Sequence, residues 1–178
     1  QAAAHQANIT TAAESILETM ESMLQWSKSQ MEHFKPQLKT IPVERLFKHI
    51  QNNFPGNSNL QLRFANPQNL DVNTDEDYLK TIMHNLTANA VKALHQNSNG
   101  LIEWKAVEEN GKTVLSITDN GPGAAAQQID ALYNKDAAVN SKNGLGLHLI
   151  RDLAKAIECA ISFSSAPNEG TTFQLRLA

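Results

Sequence analysis

Asn85-Leu86-Thr87-Ala88-Asn89-Ala90-Val91-Lys92 is the stretch on which the reading of this chain turns. It lies inside a helical pattern whose apolar positions, Leu79, Ile82, Met83, Leu86, Ala90, Ala93 and Leu94, form one stripe. Asn85, Asn89 and Lys92 fall at i, i+4 and i+7, which sets two carboxamides and one ammonium along a common side, a turn apart. An amide oxygen is a hard ligand suited to Mg²⁺, and a Lys is a point charge suited to phosphate. A solvated helix face presents the same residue types, so the row alone does not decide.

Two glycine motifs follow. Asp119-Asn120-Gly121-Pro122-Gly123 comes directly after the strand-like run Thr113–Thr118. Gly permits close approach of backbone to a ligand, and a carboxylate at a strand end can accept a hydrogen bond from an exocyclic amine such as N6 of adenine. An ordinary Asn-Gly/Pro-Gly turn has the same composition. Asn143-Gly144-Leu145-Gly146-Leu147 then opens a helical pattern of Leu147, Ile150, Leu153, Ala154 and Ile157. Free N–H groups and the positive end of the dipole make a Gly-rich helix start a phosphate site, or else a plain loop-to-helix junction. Glu169-Gly170-Thr171-Thr172-Phe173 leads into a final strand.

These four elements, in this order, resemble the Bergerat-type ATPase superfamily of sensor histidine kinases, DNA gyrase, MutL repair proteins and Hsp90 chaperones. The resemblance covers roughly residues 37 to 178. No Walker-type G-x-x-x-x-G-K-[ST] occurs. In the ATP-hydrolysing members the position matching Asn85 carries a Glu that activates water; an amide cannot take that proton. The sequence is therefore similar to the kinase branch, which keeps ATP intact until a protein nucleophile arrives.

The resemblance implies that ATP and Mg²⁺ bind here. Asn89, with Asn85, would hold the metal, and Lys92 would contact phosphate. Asp119 would read adenine, helped by Thr171, with Gly121 and Gly123 shaping the pocket. Gly144, Leu145, Gly146 and Leu147 would let the lid, Lys135 to Asn143, close over the phosphates; Lys135 or Lys142 would reach them or stay solvated. The family often has Tyr or Phe where this chain has Ala93, which implies weaker or more mobile nucleotide binding. His84 either sits near the phosphates or is an ordinary helix His.

Residues 8 to 34 read as one long helix, with Ile9, Ile16 and Met23, and Leu17, Leu24 and Met31, repeating every seven. A dimerising bundle face and a single docked amphipathic helix both fit. Leu24-Gln25-Trp26-Ser27-Lys28-Ser29-Gln30-Met31 resembles the end of the second dimerisation helix of histidine kinases, and Pro36 marks a linker. The expected organisation is thus a partial dimerisation helix and linker at 1–36 and an ATP-binding catalytic domain at 37–178. The family's phosphoacceptor is a His followed by Glu or Asp, and none of the six histidines has that neighbour. A chain starting with Gln fits an excised fragment whose first helix, and nucleophile, lie elsewhere. No residue of this chain is assigned a catalytic role.

The fold class expected is α+β. It would be a two-layer sandwich of a mixed, mostly antiparallel sheet with helices on one face, preceded by the long N-terminal helix. Val43 to Ile50 reads as a helix, Leu60 to Phe64 and Leu70 to Asn73 as short strands, and Ala124 to Asn134 as a helix. Leu101–Val107 and Thr113–Thr118 flank the hairpin signal Glu109-Asn110-Gly111, and Ala160–Ser164 and Thr172–Leu177 are the last strands. Either Thr74, with Asp77, or Asp75 caps the Asn-rich helix.

A net charge of −3 gives no footprint for nucleic acid. The single Cys159 cannot form an internal disulfide and reads as core, which suits a cytoplasmic setting. No signal peptide or apolar run of membrane-spanning length is present, so the fragment is not membrane-inserted, compatible with a parent anchored in the inner membrane. The resemblance further implies a homodimeric parent and a response regulator receiver domain as partner. Two other readings stay open: a non-catalytic nucleotide-binding regulator of the same fold, and a serine kinase of the anti-sigma-factor type.

Overall fold

A computed structural model describes residues 35–124 and 146–178, and within the first 34 positions Glu14, Ile16–Glu18, Met20, Glu21, Met23, Leu24 and Ser27. Those N-terminal positions are helical and exposed. A continuous helix over 8–34, the helix expected from Ala124 and the lid from Lys135 lie outside the described residues, except that Ala124 itself is not helical.

Within residues 35–124 the chain begins with β1 (Leu38–Pro42), followed by α1 (Val43–Asn53). Val43, Leu46, Phe47 and Ile50 are the buried stripe of α1. Strands β2 (Leu60–Ala65) and β3 (Asp71–Asp75) lead into the Asn-rich helix α2 (Glu76–Ala93). Asp75, not Thr74, is its cap: the Asp75 carboxylate accepts from the N–H groups of Asp77 and Tyr78, both at 3.1 Å, and from Gln37 N–H at 2.8 Å. One side chain thus satisfies two orphan donors of the first turn and ties the chain before β1 to it.

β4 (Gly100–Glu109) and β5 (Lys112–Asp119) form the expected hairpin. Its turn needs two left-handed residues, supplied by Asn110 at φ 53° and Gly111 at φ 75°. Helix α3 (Gly146–Ala156), β6 (Ala160–Ala166) and β7 (Gly170–Arg176) complete the chain.

Among the described residues the main sheet is five-stranded in the order β2-β4-β5-β7-β6, with only β2 and β4 parallel. Along most of its strands burial alternates, Val114 beside Leu115 on β5 and Gly170 beside Thr171 on β7 being exceptions. Ile102, Trp104, Ala106, Leu115, Ile117, Phe173 and Leu175 are buried on one face, while Lys105, Thr118, Ser162 and Gln174 are exposed on the other. Period-two alternation of this kind requires one covered and one open face. Leu79, Ile82, Met83 and Leu86 of α2 and Leu149, Ile150 and Leu153 of α3 join the buried face in one core with α1. This is the expected two-layer α+β sandwich with a mixed, mostly antiparallel sheet.

Two details depart from expectation. β1 pairs antiparallel with β3 in a separate two-stranded sheet; preceded by Pro36 and ending in Pro42, it carries no strand signature of its own. Ala93, read as part of the core stripe, is exposed, because α2 ends there and the chain turns Leu94 inward instead.

Candidate nucleotide-binding cleft

A cleft of about 390 Å³ opens where α2, the end of β5, the start of α3 and the start of β7 converge. Its apolar lining is Leu86, Ala90, Ile117, Leu147 and Phe173, and its polar lining is Asn89, Lys92, Asp119 and Thr171. Ala93, Pro122, Gly123 and Ala124 form the remaining edge. The geometry follows from strand register. Asp119 and Thr171 are paired across β5 and β7, as are Ile117 and Phe173 two residues back. All four therefore face the helix layer side by side.

Asp119 is 7% exposed. Its Oδ1 accepts from Gly121 N–H at 2.9 Å. Burial raises its pKa, and hydrogen bonds from the backbone of Gly121 and Thr171 partly offset that rise. A carboxylate that is desolvated yet has acceptor capacity left is suited to bind a ligand N–H group.

The loop after Asp119 is fixed at several points. Asn120 Oδ1 accepts from Leu101 N–H at 2.7 Å and its Nδ2 donates to the Asn99 carbonyl at 2.9 Å. The Pro122 carbonyl accepts from Asn168 N–H at 2.9 Å, and Ala124 N–H donates to Ser165 Oγ at 2.8 Å. At Gly170 the chain passes so close to β5 that a Cβ would lie 1.8 Å from the Asp119 carbonyl oxygen, and φ is +86°.

The Asn-rich row sits as its spacing requires. Asn89 and Lys92 line the cleft. Asn85 borders it rather than lining it: its Nδ2 donates to the Thr81 carbonyl at 2.9 Å, which leaves Oδ1 toward the start of α3, 3.2 Å from where a Cβ on Gly146 would stand. A side chain at Gly146 would therefore crowd that oxygen. Leu147 lines the cleft, whereas Gly144 and Leu145 lie outside the described residues. Gly121 is buried behind Asp119. His84 is not in the cleft lining; its ring packs on Phe54 at a tilt of 47°, ring centroids 4.9 Å apart. Among the described residues no cluster of three or more His, Cys, Asp or Glu side chains could hold a metal; on the α2 side of the cleft the side-chain oxygens are those of the two carboxamides.

Sequence reasoning missed Ser165 and, apart from Leu147, the apolar walls. The walls carried a signal, since Ile117 and Phe173 stand two residues from Asp119 and Thr171 and so share their face. Ser165, in a run of small polar residues, carried none.

The cleft fits an adenine nucleotide: apolar walls for a flat ring, a buried acceptor at their base, and carboxamides and a Lys at the mouth. Comparison with known proteins agrees. Residues 74–178 match the profile of the histidine kinase-, DNA gyrase B- and HSP90-like ATPases. The chain is 30% identical over 145 residues to the sensor histidine kinase ZraS of Escherichia coli, a match that spans 79% of this chain and 31% of that protein. Full-length ShkA in complex with AMPPNP superposes with a TM-score of 0.72 at 20% identity, covering 93% of this chain and 36% of that one. Histidine kinase ThkA in complex with the response regulator TrrA gives 0.70 at 18% identity, covering 95% and 48%. No described helix is long and apolar enough to cross a membrane. The chain belongs to the histidine kinase-, DNA gyrase B- and HSP90-like ATPase family, as an ATP-binding catalytic domain of the sensor histidine kinase type.

Proposed function

We propose that this domain binds Mg²⁺-ATP in the cleft and transfers the γ-phosphoryl group to the imidazole of a His on a dimerisation helix of the parent protein. The observation that carries the reading is the buried Asp119 carboxylate, set between the apolar walls and opposite the carboxamide and Lys row of α2. Asp119 accepts from the 6-amino group of the base, with Thr171 beside it. Leu86, Ala90, Ile117, Leu147 and Phe173 exclude water from the ring. Asn89 and Asn85 hold the metal through their amide oxygens, and Lys92 neutralises phosphate charge. Mg²⁺, when bound, supplies charge neutralisation on the transferring group. Gly121 and Gly123 let the loop approach the base. Gly144 and Gly146, with Leu145 and Leu147, let the segment before α3 close over the phosphates.

Asn85 gives the reading its direction. A carboxamide is no general base, so water is not activated and ATP survives until a protein nucleophile is brought to it. Phosphoryl transfer needs little from the domain beyond positioning and electrostatic stabilisation. The parent acts as a homodimer that supplies the His, and the phosphoryl group passes on to the receiver domain of a response regulator.

Ala93 favours a second reading, a nucleotide-binding regulator without transfer activity, because position 93 offers the cleft only a methyl group. The deciding experiment incubates the chain and a separate His-bearing helical hairpin with ATP labelled on the γ-phosphate and Mg²⁺. Acid-labile, base-stable label on the hairpin His is expected. ATP binding without any transfer would leave the regulator, and a folded chain that binds no ATP would overturn both readings.

A further inference from the structure

We infer that Ser165 fixes the hydrogen-bond polarity of Thr171 and so makes this end of the cleft select a 6-amino over a 6-oxo purine. The inference rests on the nucleotide-binding reading above.

The argument is a proton count. A Ser hydroxyl has one proton to give and two lone pairs to fill. Ser165 Oγ lies 3.0 Å from the Gly170 carbonyl oxygen. A carbonyl has no proton, so Ser165 must be the donor there. Ala124 N–H fills one lone pair of Ser165 Oγ from 2.8 Å. The remaining partner, Thr171 Oγ1 at 3.0 Å, is then left one role, to donate into the second lone pair. All three valences of the Ser165 hydroxyl are used. The Thr171 proton is committed to Ser165, and toward any ligand Thr171 Oγ1 can only accept.

Thr171 is 7% exposed and lines the cleft beside Asp119, its partner across β5 and β7. The Asp119 carboxylate, an acceptor when ionised, already takes the N–H groups of Gly121 and Thr171. This corner therefore offers a ligand two side-chain acceptors and no side-chain donor. An exocyclic amine brings two N–H groups to it. A 6-oxo group brings lone pairs to lone pairs, in a place where water cannot make up the loss. Ser165 touches no ligand in this scheme; it is a positioning residue. It reaches its place because a Cβ on Gly123, absent in this chain, would stand 3.0 Å from Ser165 Oγ and 2.5 Å from the Ala166 carbonyl oxygen.

The test is calorimetric titration of ATP and of inosine triphosphate, at one Mg²⁺ concentration, into wild type, Ser165→Ala, Ser165→Thr and Thr171→Val. Wild type is expected to prefer ATP. Ser165→Ala frees the Thr171 proton to turn toward an oxo group, and the preference should narrow about three- to tenfold, the worth of one hydrogen bond. Ser165→Thr keeps the hydroxyl and should restore the ratio. A merely structural role for Ser165 would weaken both nucleotides together and leave the ratio unchanged, which overturns the inference. If Ser165→Ala does not fold, Thr171→Val carries the test: it removes one acceptor and should also narrow the ratio, and an unchanged ratio again overturns it. Wild type that binds neither nucleotide defeats the nucleotide-binding reading itself, a different result from binding without the Ser165 effect.

Discussion

The indole Nε1–H of Trp104 donates to Thr87 Oγ1 at 3.0 Å, across the buried interface between β4 and α2. Thr87 in turn donates to the Met83 carbonyl at 2.7 Å. Both side chains are fully buried. A Thr in mid-helix, poor in intrinsic propensity, is thus placed where the largest core side chain needs an acceptor. The bond joins the middle of the sheet to the helix that carries Asn85, Asn89 and Lys92.

Thr87→Val keeps the shape and removes the acceptor, which leaves a buried indole N–H unpaired. The expected loss is about 1–3 kcal/mol of stability, read by urea unfolding. In a Trp26→Phe background the emission of Trp104 should shift to the blue. Unchanged stability would mean that the indole finds another partner.

Asp119→Asn replaces a charged acceptor with an amide whose N–H₂ group competes for the same corner. ATP affinity should fall about 10- to 100-fold, the range of a hydrogen bond to a charged group, while the thermal midpoint stays level or rises because a desolvated charge is gone. Isothermal titration and a melting curve on the same sample separate the two effects.

The raised pKa of Asp119 predicts a pH dependence with a definite sign. Its pKa in the fold lies above its ordinary value of 3.8 because burial disfavours the anion. The folded state holds that proton more tightly than the unfolded chain, so ionisation costs stability as pH rises through the window between the two values. Binding runs the other way, since the anion is the stronger acceptor. ATP affinity should therefore drop on acidification at a pH above the ordinary Asp range, and Asp119→Asn should remove that step from the profile.

Ala93→Tyr adds an aromatic face to the cleft edge. Ala93 is exposed at the cleft edge, which leaves room there for a larger side chain. A Tyr turned over the base should tighten ATP by about 0.5–1.5 kcal/mol, the worth of an aromatic contact. Equal affinity in the two proteins would show that the methyl group is no handicap.

How much of this was legible in the sequence depends on whether a feature repeats. Helix α2 and the β4–β5 hairpin were, because a helical stripe and a period-two alternation are written into many residues at once. Asp119, Gly121 and Gly123 were visible as a motif. The β1–β3 pair was not, since Leu38-Lys39-Thr40-Ile41-Pro42 forms a strand only because β3 lies beside it. Ala93 was misread for a boundary reason: a stripe says which face is buried, and not where the helix stops. Ser165 was beyond reach, as its three bonds bring together Ala124, Gly170 and Thr171 from a loop and a neighbouring strand, through contacts that only the closed fold creates.

Two glycines at positive φ allow a last, paired prediction. Gly111 has φ +75° and nothing within 4 Å of a would-be Cβ. Gly111→Ala should cost only the left-handed backbone penalty, roughly 1–2 kcal/mol, with ATP binding intact. Gly170 has φ +86° as well, but its Cβ would meet the Asp119 carbonyl oxygen at 1.8 Å and Asp119 carbon at 2.8 Å. Those are backbone atoms of the central strand and cannot rotate aside. Relief requires β7 to part from β5 at the pair Asp119 and Thr171, which withdraws the Thr171 N–H from the Asp119 carboxylate. Gly170→Ala should therefore lose distinctly more stability than Gly111→Ala in urea unfolding. In the folded fraction it should lose ATP affinity, which Gly111→Ala does not. Equal costs at the two positions, with ATP binding kept in both, would show that β5 and β7 do not meet this closely at the head of the cleft.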